Sequence, residues 1–321
     1  MARSDALRPA PAPGRRALAQ RLLVLGAPVV YLIALGLTIA YWGLPVARDQ
    51  LFFWLALGML AFSVTRWRTW GVLALEWAPF FGLLVLYDRL RGAVAVTPEQ
   101  AHQTAQIDVD RALFGHEIPT VGLQRQLWDS AHLHWYDYLV WATYMTHFFA
   151  VWTVAAVLWR VAHDRFRAFA ATTVVLTLGA FLTYWLFPAQ PPWLAAQDGG
   201  GIGPVARIVP EVWGRLGVRT IQSVYENADY VNPVAAMPSL HAAFPFMLLL
   251  SFWSAGWRVR VPLALYTLLM GFALVYGGEH YVMDILAGWL MAGAAFALVH
   301  RGVPASHRWM KRAPTLTADS A

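Results

Sequence analysis

The composition of this chain excludes a soluble globular protein. Of its 321 residues, 59% are hydrophobic and 13% are charged, whereas a soluble domain carries about a quarter charged residues. The surplus of apolar side chains must therefore face lipid. The formal net charge is +6, but the arginines lie beside apolar runs and not on one face, which argues against nucleic acid as a partner. The absence of cysteine excludes a disulfide framework and thiolate chemistry.

The chain begins with a basic tail and continues with eight apolar segments. Residues 1–21 contain arginines among proline and alanine, which predicts disorder. The segments reach or approach the length of about 20 residues that a membrane helix needs, and they lack the alternation of strands. They are Leu22–Trp42, Leu51–Val64, Val72–Tyr87, Tyr138–Trp159, Ala168–Phe187, His241–Trp253, Val261–Tyr276 and Tyr281–Val299. The predicted fold is an all-α, polytopic membrane helical bundle of about eight transmembrane helices.

The distribution of basic residues predicts the orientation of these helices. The two long connections, at about 88–137 and 188–240, fall on one side of the membrane, and both termini fall on the other. Alternate connections carry the positive charge that the positive-inside rule assigns to the cytoplasm: Arg66, Arg68, Arg160, Arg165, Arg167, Arg258, Arg260, Arg301, Arg308, Lys311 and Arg312. We therefore expect cytoplasmic termini, with His241 and His280 on the extracytoplasmic face of the plasma or inner membrane.

The domain organisation follows from the same segments. We expect a disordered tail at 1–21, two additional transmembrane helices at 22–70, a membrane-embedded core of six helices at 71–300 and a cytoplasmic tail at 301–321. No internal repeat and no separate soluble domain is visible.

The long connections carry arginine on the side of the membrane where it is uncommon. Arg89 and Arg91 directly follow the third apolar segment, and Arg111 lies further along the same connection. Arginine can bind a phosphate group bidentately, so these side chains are candidates for substrate binding, with snorkelling at the interface as the alternative. Arg207, in the second long connection, is a weaker candidate.

The fourth apolar segment contains Tyr144 and His147, three residues apart and hence on one helical face. Histidine within a membrane span faces protein or water more often than lipid. A contact with substrate is one interpretation, and a packed, hydrogen-bonded side chain is the other.

A short stretch at residues 237–241 combines a helix start with a histidine. Pro238 and Ser239 suit the first turn of a helix. The unpaired N–H groups around Ser239 and Leu240 would favour an anion there. His241 would stand one step inside this anion site.

A second stretch, at residues 276–284, supplies a carboxylate and another histidine. His280 and Asp284 are four residues apart, so on a helix they share a face within hydrogen-bonding reach. A carboxylate that holds one imidazole nitrogen leaves the other free as a nucleophile or base. An interfacial position would explain one such residue, but it does not explain His241, His280 and Asp284 together. We therefore predict a site for phosphoryl transfer.

These two stretches resemble the second and third motifs of the type 2 phosphatidic acid phosphatase superfamily. The motifs read Pro-Ser-x-His and Gly-x-His-Tyr-x-x-Asp-x-x-x-Gly-Trp, and the matching residues are Pro238, Ser239, His241, Gly278, His280, Tyr281, Asp284, Gly288 and Trp289. The resemblance implies that His280 attacks phosphorus to form a phosphohistidine. It further implies that His241 protonates the leaving oxygen and that Asp284 orients the nucleophile.

The chain also departs from the pattern of that superfamily. Its first motif, Lys-x6-Arg-Pro, is absent, because the single lysine, Lys311, lies beyond the last apolar segment. Leu274 stands where the third motif usually has arginine. The resemblance, which covers about Val72 to Val299, is therefore closer to the phosphotransferase branch that includes fungal inositol phosphorylceramide synthase and sphingomyelin synthase.

The predicted function is a membrane phosphotransferase. It would move an inositol-phosphate or similar head group from a lipid-linked phosphate or phosphodiester to a hydroxyl acceptor, which can be water, a polyol or a lipid. A lipid-phosphate phosphatase, acting on phosphatidic acid or a polyprenyl phosphate, is the first alternative. A transporter without catalysis is the second, and a vanadate-dependent haloperoxidase is disfavoured because such enzymes are soluble. No metal and no cofactor is implied, because the candidate ligands already have roles.

Overall fold

The computed structural model describes residues 15–42, 48–64, 70–93, 101–102, 104–115, 117–199, 201–216 and 234–301. Within these residues the regular elements are helices, and His102, Ala189 and Ala235 form only isolated β-bridges. The helices are α1 (Arg15–Trp42), α2 (Arg48–Phe62), α3 (Trp70–Ala93), α4 (Thr104–Phe114), α5 (Pro119–Leu127), α6 (Trp135–Thr146), α7 (Ala150–Val161), α8 (His163–Leu186), α9 (Pro192–Gln197), α10 (Ile208–Arg215), α11 (Leu240–Ser251), α12 (Trp257–Tyr276) and α13 (Val282–Arg301). The prediction of an all-α membrane bundle is confirmed.

Parts of the sequence-based prediction fall outside the described residues. Residues 1–14 of the predicted tail 1–21 and the tail after residue 301 lie outside them, as do Arg66 and Arg68, whereas residues 15–21 belong to α1. The orientation that these charges predict, and the boundaries of the four expected parts of the chain, stay predictions.

Each of the eight predicted apolar segments coincides with a helix or with a pair of helices. Among the described residues, four helices are long and apolar enough to cross a membrane: Leu22–Trp42 of α1, α8, α12 and α13. Helices α6 and α7 pass the same test together, with a bend of 47° between them. Phe53–Phe62 of α2 and all of α11 are apolar but shorter. The chain is a multi-pass protein, its described residues contain four or five spans by these criteria, and the count of eight stays a prediction.

The chain divides into two compact units, Met1–Ala78 and Pro79–Ala321. In the first unit α1 packs against α2. Gly58 permits a close approach there, because a Cβ at this position would lie 2.9 Å from the ring of Tyr31.

In the second unit α11 packs against both α12 and α13, and α13 packs against α8. Their shared interior contains fully buried side chains such as Leu176, Met247 and Met270. Large apolar side chains on the same helices point outwards, and Leu265 and Leu290 are 61% and 76% exposed. Apolar side chains on both faces are what helices surrounded by lipid require.

Four short helices, α4, α5, α9 and α10, come from the two long connections, and we call them the loop helices. Helices α5 and α9 begin at Pro119 and Pro192, because proline has the fixed φ and the missing N–H that suit a first helical position. Ile107 of α4 packs against Tyr281, and Ile208 of α10 packs in one cluster with Tyr276. The loop helices therefore cover the connection between α12 and α13, where His280 lies.

Candidate active site

The connection between α12 and α13 carries the imidazole–carboxylate pair. His280 Nδ1 lies 3.3 Å from Asp284 Oδ2, and Asp284 is fully buried. The sequence-based prediction placed the two residues on one helical face, but α13 begins at Val282, so His280 precedes the helix. The pair forms because Asp284 turns its carboxylate back over the helix start, where Oδ2 also accepts the N–H of Tyr281 at 3.0 Å.

The connection itself needs glycine at Gly278. This residue has a φ of +78°, and a Cβ there would lie 2.6 Å from the carbonyl oxygen of Ala206. Only glycine adopts such a backbone conformation without strain. The glycine of the third motif therefore permits the tight turn that brings His280 to the start of α13.

The start of α11 lies against the start of α13. Ser239 caps α11, because its Oγ accepts the N–H of Ala242 at 3.2 Å. The N–H of Ser239 in turn donates to the carbonyl oxygen of Asp284 at 3.0 Å. A Cβ at Gly288 would clash with the carbonyl oxygen of Ser239, so the approach of the two helices depends on this glycine.

The histidines at the two helix starts, His241 and His280, lie close to Tyr144 and His147 of the fourth apolar segment. The ring centroids of His241 and His280 are 5.7 Å apart, a separation at which one phosphoryl group can contact both rings. His147 stacks on His241 with a centroid distance of 3.7 Å, and Tyr144 stacks on the same ring at 4.6 Å. His147 lies in the turn between α6 and α7, so the bend of this span brings both residues to His241.

Several polar atoms at this place lack a partner among the described residues. They are the Nε2 of His241, the Nδ1 of His147 and the Oδ1 of Asp284, and all three are buried. Buried polar atoms in folded proteins are nearly always hydrogen-bonded. All three atoms are therefore available to hydrogen-bond a polar ligand between the two histidines.

The loop helices form hydrogen bonds with the connection between α12 and α13 that contains His280. Gln124 of α5 donates through Nε2 to the carbonyl oxygens of Tyr276 at 2.7 Å and Ala206 at 2.9 Å, and its Oε1 accepts the N–H of Ala206 at 2.8 Å. The N–H of Trp193 donates to the carbonyl oxygen of Gly278 at 3.2 Å. Sequence reasoning missed Gln124, because nothing in its local sequence marks a contact 152 residues away.

One arginine contacts the residue before His280. Arg207 donates through Nε and Nη2 to the two carboxylate oxygens of Glu279, at 2.8 and 3.2 Å, and its guanidinium lies 4.5 Å from the centre of the Trp193 ring. Glu279 directly precedes His280. The structure thus brings the weaker of the sequence-based arginine candidates to the site.

The other arginine candidates are placed differently. Arg111 Nη2 donates to the carbonyl oxygen of Gly201 at 2.9 Å. Arg89 and Arg91 fall within α3, and their side chains lie outside the described residues. Their contact with phosphate stays a prediction. No cluster of three or more histidine, aspartate or glutamate side chains suited to a metal ion occurs in the described part of the chain.

The sequence of this chain is similar to known proteins. The sequence profile of the PAP2 superfamily matches residues 107–298, a range that includes His147, His241, His280 and Asp284. The chain is also 32% identical over 130 residues to a phosphoinositol dihydroceramide synthase of Bacteroides thetaiotaomicron. That match covers 37% of this chain and 41% of the relative, so less than half of the relative's length is represented. No solved structure matches the chain.

Proposed function

Since the chain belongs to the PAP2 superfamily, we propose that it is a membrane enzyme that transfers a phosphate-containing head group from a lipid donor to a hydroxyl acceptor. The observation that carries the proposal is the arrangement of His241, His280 and Asp284 at two adjoining helix starts. One histidine is held by a carboxylate at 3.3 Å, and the other faces it across 5.7 Å between ring centroids.

In the first half of the reaction His280 is the nucleophile. Its Nδ1–H donates to Asp284, which leaves the lone pair on Nε2. Nε2 attacks phosphorus, the bond from phosphorus to the lipid oxygen breaks, and His241 gives its proton to that oxygen. The products are a phosphohistidine and the released lipid alcohol. In the second half, the acceptor hydroxyl gives its proton to His241, its oxygen attacks phosphorus, and His280 leaves.

The negative charge of the phosphoryl group needs stabilisation that the missing lysine and arginine of the superfamily do not supply. The positive end of the α11 dipole lies beside His241, and a helix start contributes about half an elementary charge. We assign the remaining stabilisation to Arg207, through the N–H groups that it does not donate to Glu279, the residue before His280. We further assign substrate contacts to Tyr144 and His147, whose rings stack on His241.

The position of the site suits a lipid substrate. Helix α11 has 12 residues and therefore covers about 18 Å of a hydrocarbon layer about 30 Å thick. We therefore propose that the site at its N-terminal end is recessed from the membrane surface, where the phosphate of a lipid can reach it while the acyl chains stay in the bilayer. The name of the Bacteroides relative adds a candidate head group, phosphoinositol, and a candidate acceptor, dihydroceramide.

Purified protein in detergent tests the reaction. The assay uses phosphatidylinositol labelled in its inositol ring, with dihydroceramide as acceptor and the His280→Ala variant as blank. A labelled sphingolipid that forms only with the wild type is the expected product. Release of labelled inositol phosphate into water, without a labelled lipid product, would show that the enzyme catalyses hydrolysis and not transfer. Folded wild-type protein that forms neither product, and releases no phosphate from dioctanoyl phosphatidic acid, would contradict the proposal.

We place the active site on the extracytoplasmic face. Arg165 and Arg167 at the start of α8, Arg258 near the start of α12 and Arg301 at the end of α13 mark helix ends remote from His280, and the positive-inside rule assigns such ends to the cytoplasm. A single cysteine at the exposed Gln197 of α9 should react with a membrane-impermeant thiol reagent in intact cells, and one at the exposed Ser254 should not. The reverse pattern would place the site in the cytoplasm.

A further inference from the structure

The start of α13 is the second helix N-terminus at the site, and carboxylates already occupy its N–H groups. The N–H of Val282 donates to Asp110 Oδ2 and the N–H of Met283 to Asp110 Oδ1, both at 3.0 Å. The preceding N–H, of Tyr281, donates to Asp284. A helix start with unpaired N–H groups attracts phosphate. Asp110 therefore removes a competing anion site beside the nucleophile.

Asp110 reaches this position from the loop helix α4, 172 residues away from Val282 along the chain. Its side chain is fully buried. A buried carboxylate is costly unless its oxygens are hydrogen-bonded, and here each oxygen accepts one backbone N–H. Burial raises the pKa of the Asp110 carboxyl above its ordinary value, although the two N–H donors oppose that rise.

The first turn of α13 connects both halves of the active site. Asp284, in this turn, holds His280 through Oδ2 and accepts the N–H of Ser239 through its carbonyl oxygen. A rotation of the turn would therefore move the nucleophile and the start of α11 at the same time. Asp110 is the contact from the loop helices that binds the N–H groups of this turn.

We propose that Asp110 is a positioning residue for the phosphoryl transfer described above: its two oxygens fix the backbone at Val282 and Met283, so that Asp284 keeps His280 in the orientation for attack. The inference rests on the proposed function. It assigns a catalytic consequence to a loop helix that carries none of the superfamily motifs.

The variant Asp110→Asn tests this inference in the full-length protein, with transfer from labelled phosphatidylinositol to dihydroceramide as the assay and orthovanadate as a binding probe. The amide keeps the size of the side chain but turns an NH2 group towards one of the two N–H donors. We expect kcat to fall by about 10- to 100-fold, the scale of a misplacement of about 1 Å. KM should change less than about threefold, because Asp110 does not touch the substrate, and the Kd of vanadate should rise about tenfold or more.

Asp108→Asn is the matched control, because Asp108 lies on the exposed side of the same helix. It should keep the wild-type kcat, KM and vanadate Kd. Wild-type kcat and vanadate Kd in folded Asp110→Asn would overturn the inference. If His280→Ala retains turnover, the proposed function itself fails, whereas an inactive His280→Ala beside a normal Asp110→Asn removes only the role of Asp110.

Val282→Pro provides a second test that leaves the Asp110 carboxylate unchanged. It can be used even if Asp110→Asn does not fold. Proline suits the first position of a helix, so the change removes the N–H that donates to Asp110 Oδ2 and leaves α13 intact. We expect a loss in kcat of about three- to tenfold, with KM again unchanged. A cap that matters only for folding would lower the unfolding temperature but leave kcat per folded molecule normal, and that result would also overturn the inference.

Discussion

The two helix starts that meet at the active site are capped in different ways. Helix α11 is capped locally, by the Oγ of its own Ser239. Helix α13 is capped by Asp284 from within and by Asp110 from another helix. The first arrangement leaves the positive end of a helix dipole beside His241, whereas the second fills the helix start with negative charge. In the proposed mechanism, two similar backbone features therefore have different roles, one as an anion site and the other as a support for the nucleophile.

The two helix starts differ in the source of the negative charge that lies beside them. In the proposed mechanism the charge at α11 arrives with the substrate, so changes there should alter phosphate binding and leaving-group protonation. At α13 the charge belongs to the protein, so changes there should alter the attack by His280. The variants below test this division, beginning with those that remove the reacting groups.

Replacing the histidine at either helix start should have the largest effect. His280→Ala removes the nucleophile and His241→Ala removes the proton donor, and because the two act as a unit, each should lower kcat by about 10⁴-fold or more. Head-group transfer in detergent measures the loss. His132→Ala, at an exposed ring that lies near Asp129, is the control and should stay fully active. Near-normal turnover in either active-site variant would contradict the mechanism.

Separating the two helix starts should cost about 100-fold in kcat. In Gly288→Ala the new methyl group meets the carbonyl oxygen of Ser239, so α11 and α13 must move apart, at about 1–3 kcal/mol of unfolding free energy. Gly293→Ala is the control on the same helix, because a Cβ there meets nothing within 4 Å, and it should be neutral or stabilising by about 0.5–1 kcal/mol. Thermal unfolding and kcat measure both variants. Equal kcat and equal unfolding temperature in the two variants would show that the contact between the helix starts affects neither activity nor stability.

Weakening the cation at the site should have a moderate effect. Arg207→Lys keeps the charge but loses the planar fork that bonds both oxygens of Glu279. We expect kcat/KM to fall by about tenfold, the equivalent of one charge-assisted hydrogen bond. Arg215→Lys is the control, since Arg215 is exposed and donates to the backbone oxygens of Ser130 and Ala131. If Arg207→Lys keeps the wild-type kcat/KM, another arginine must supply the positive charge that binds the phosphate. Arg89 and Arg91 are then the first to test.

Removing the local cap of α11 should have the smallest effect. Ser239→Ala deletes the acceptor for the N–H of Ala242, which costs about 1 kcal/mol of unfolding free energy. The backbone N–H groups of the helix start remain, so kcat should fall by no more than about threefold, unlike the loss expected for Asp110→Asn. The exposed Ser254→Ala is the control for stability. A loss in kcat larger than that of Asp110→Asn would mean that the serine hydroxyl itself contacts the reacting phosphate.

The proposed site residues could be placed in two pairs from the sequence, because the members of each pair are close together along the chain. Ser239 and His241 are two residues apart, and His280 and Asp284 are four apart, so local spacing alone places each pair near one helix start. The geometry of the second pair was still mistaken in one respect, since His280 precedes α13. Tyr144 and His147 were recognised as candidates by their residue types, but only the bend between α6 and α7 brings them to His241.

The sequence by itself determined the helical membrane class, because a chain with so few charged residues must satisfy its backbone hydrogen bonds within helices when it enters lipid. The tertiary structure alone decided which residues support the site. Arg207 meets Glu279 across 72 residues, Gln124 meets Tyr276 across 152, and Asp110 meets Val282 across 172. Contacts of such range leave no periodicity in the sequence, because they depend on how the loop helices fold back onto the connection between α12 and α13.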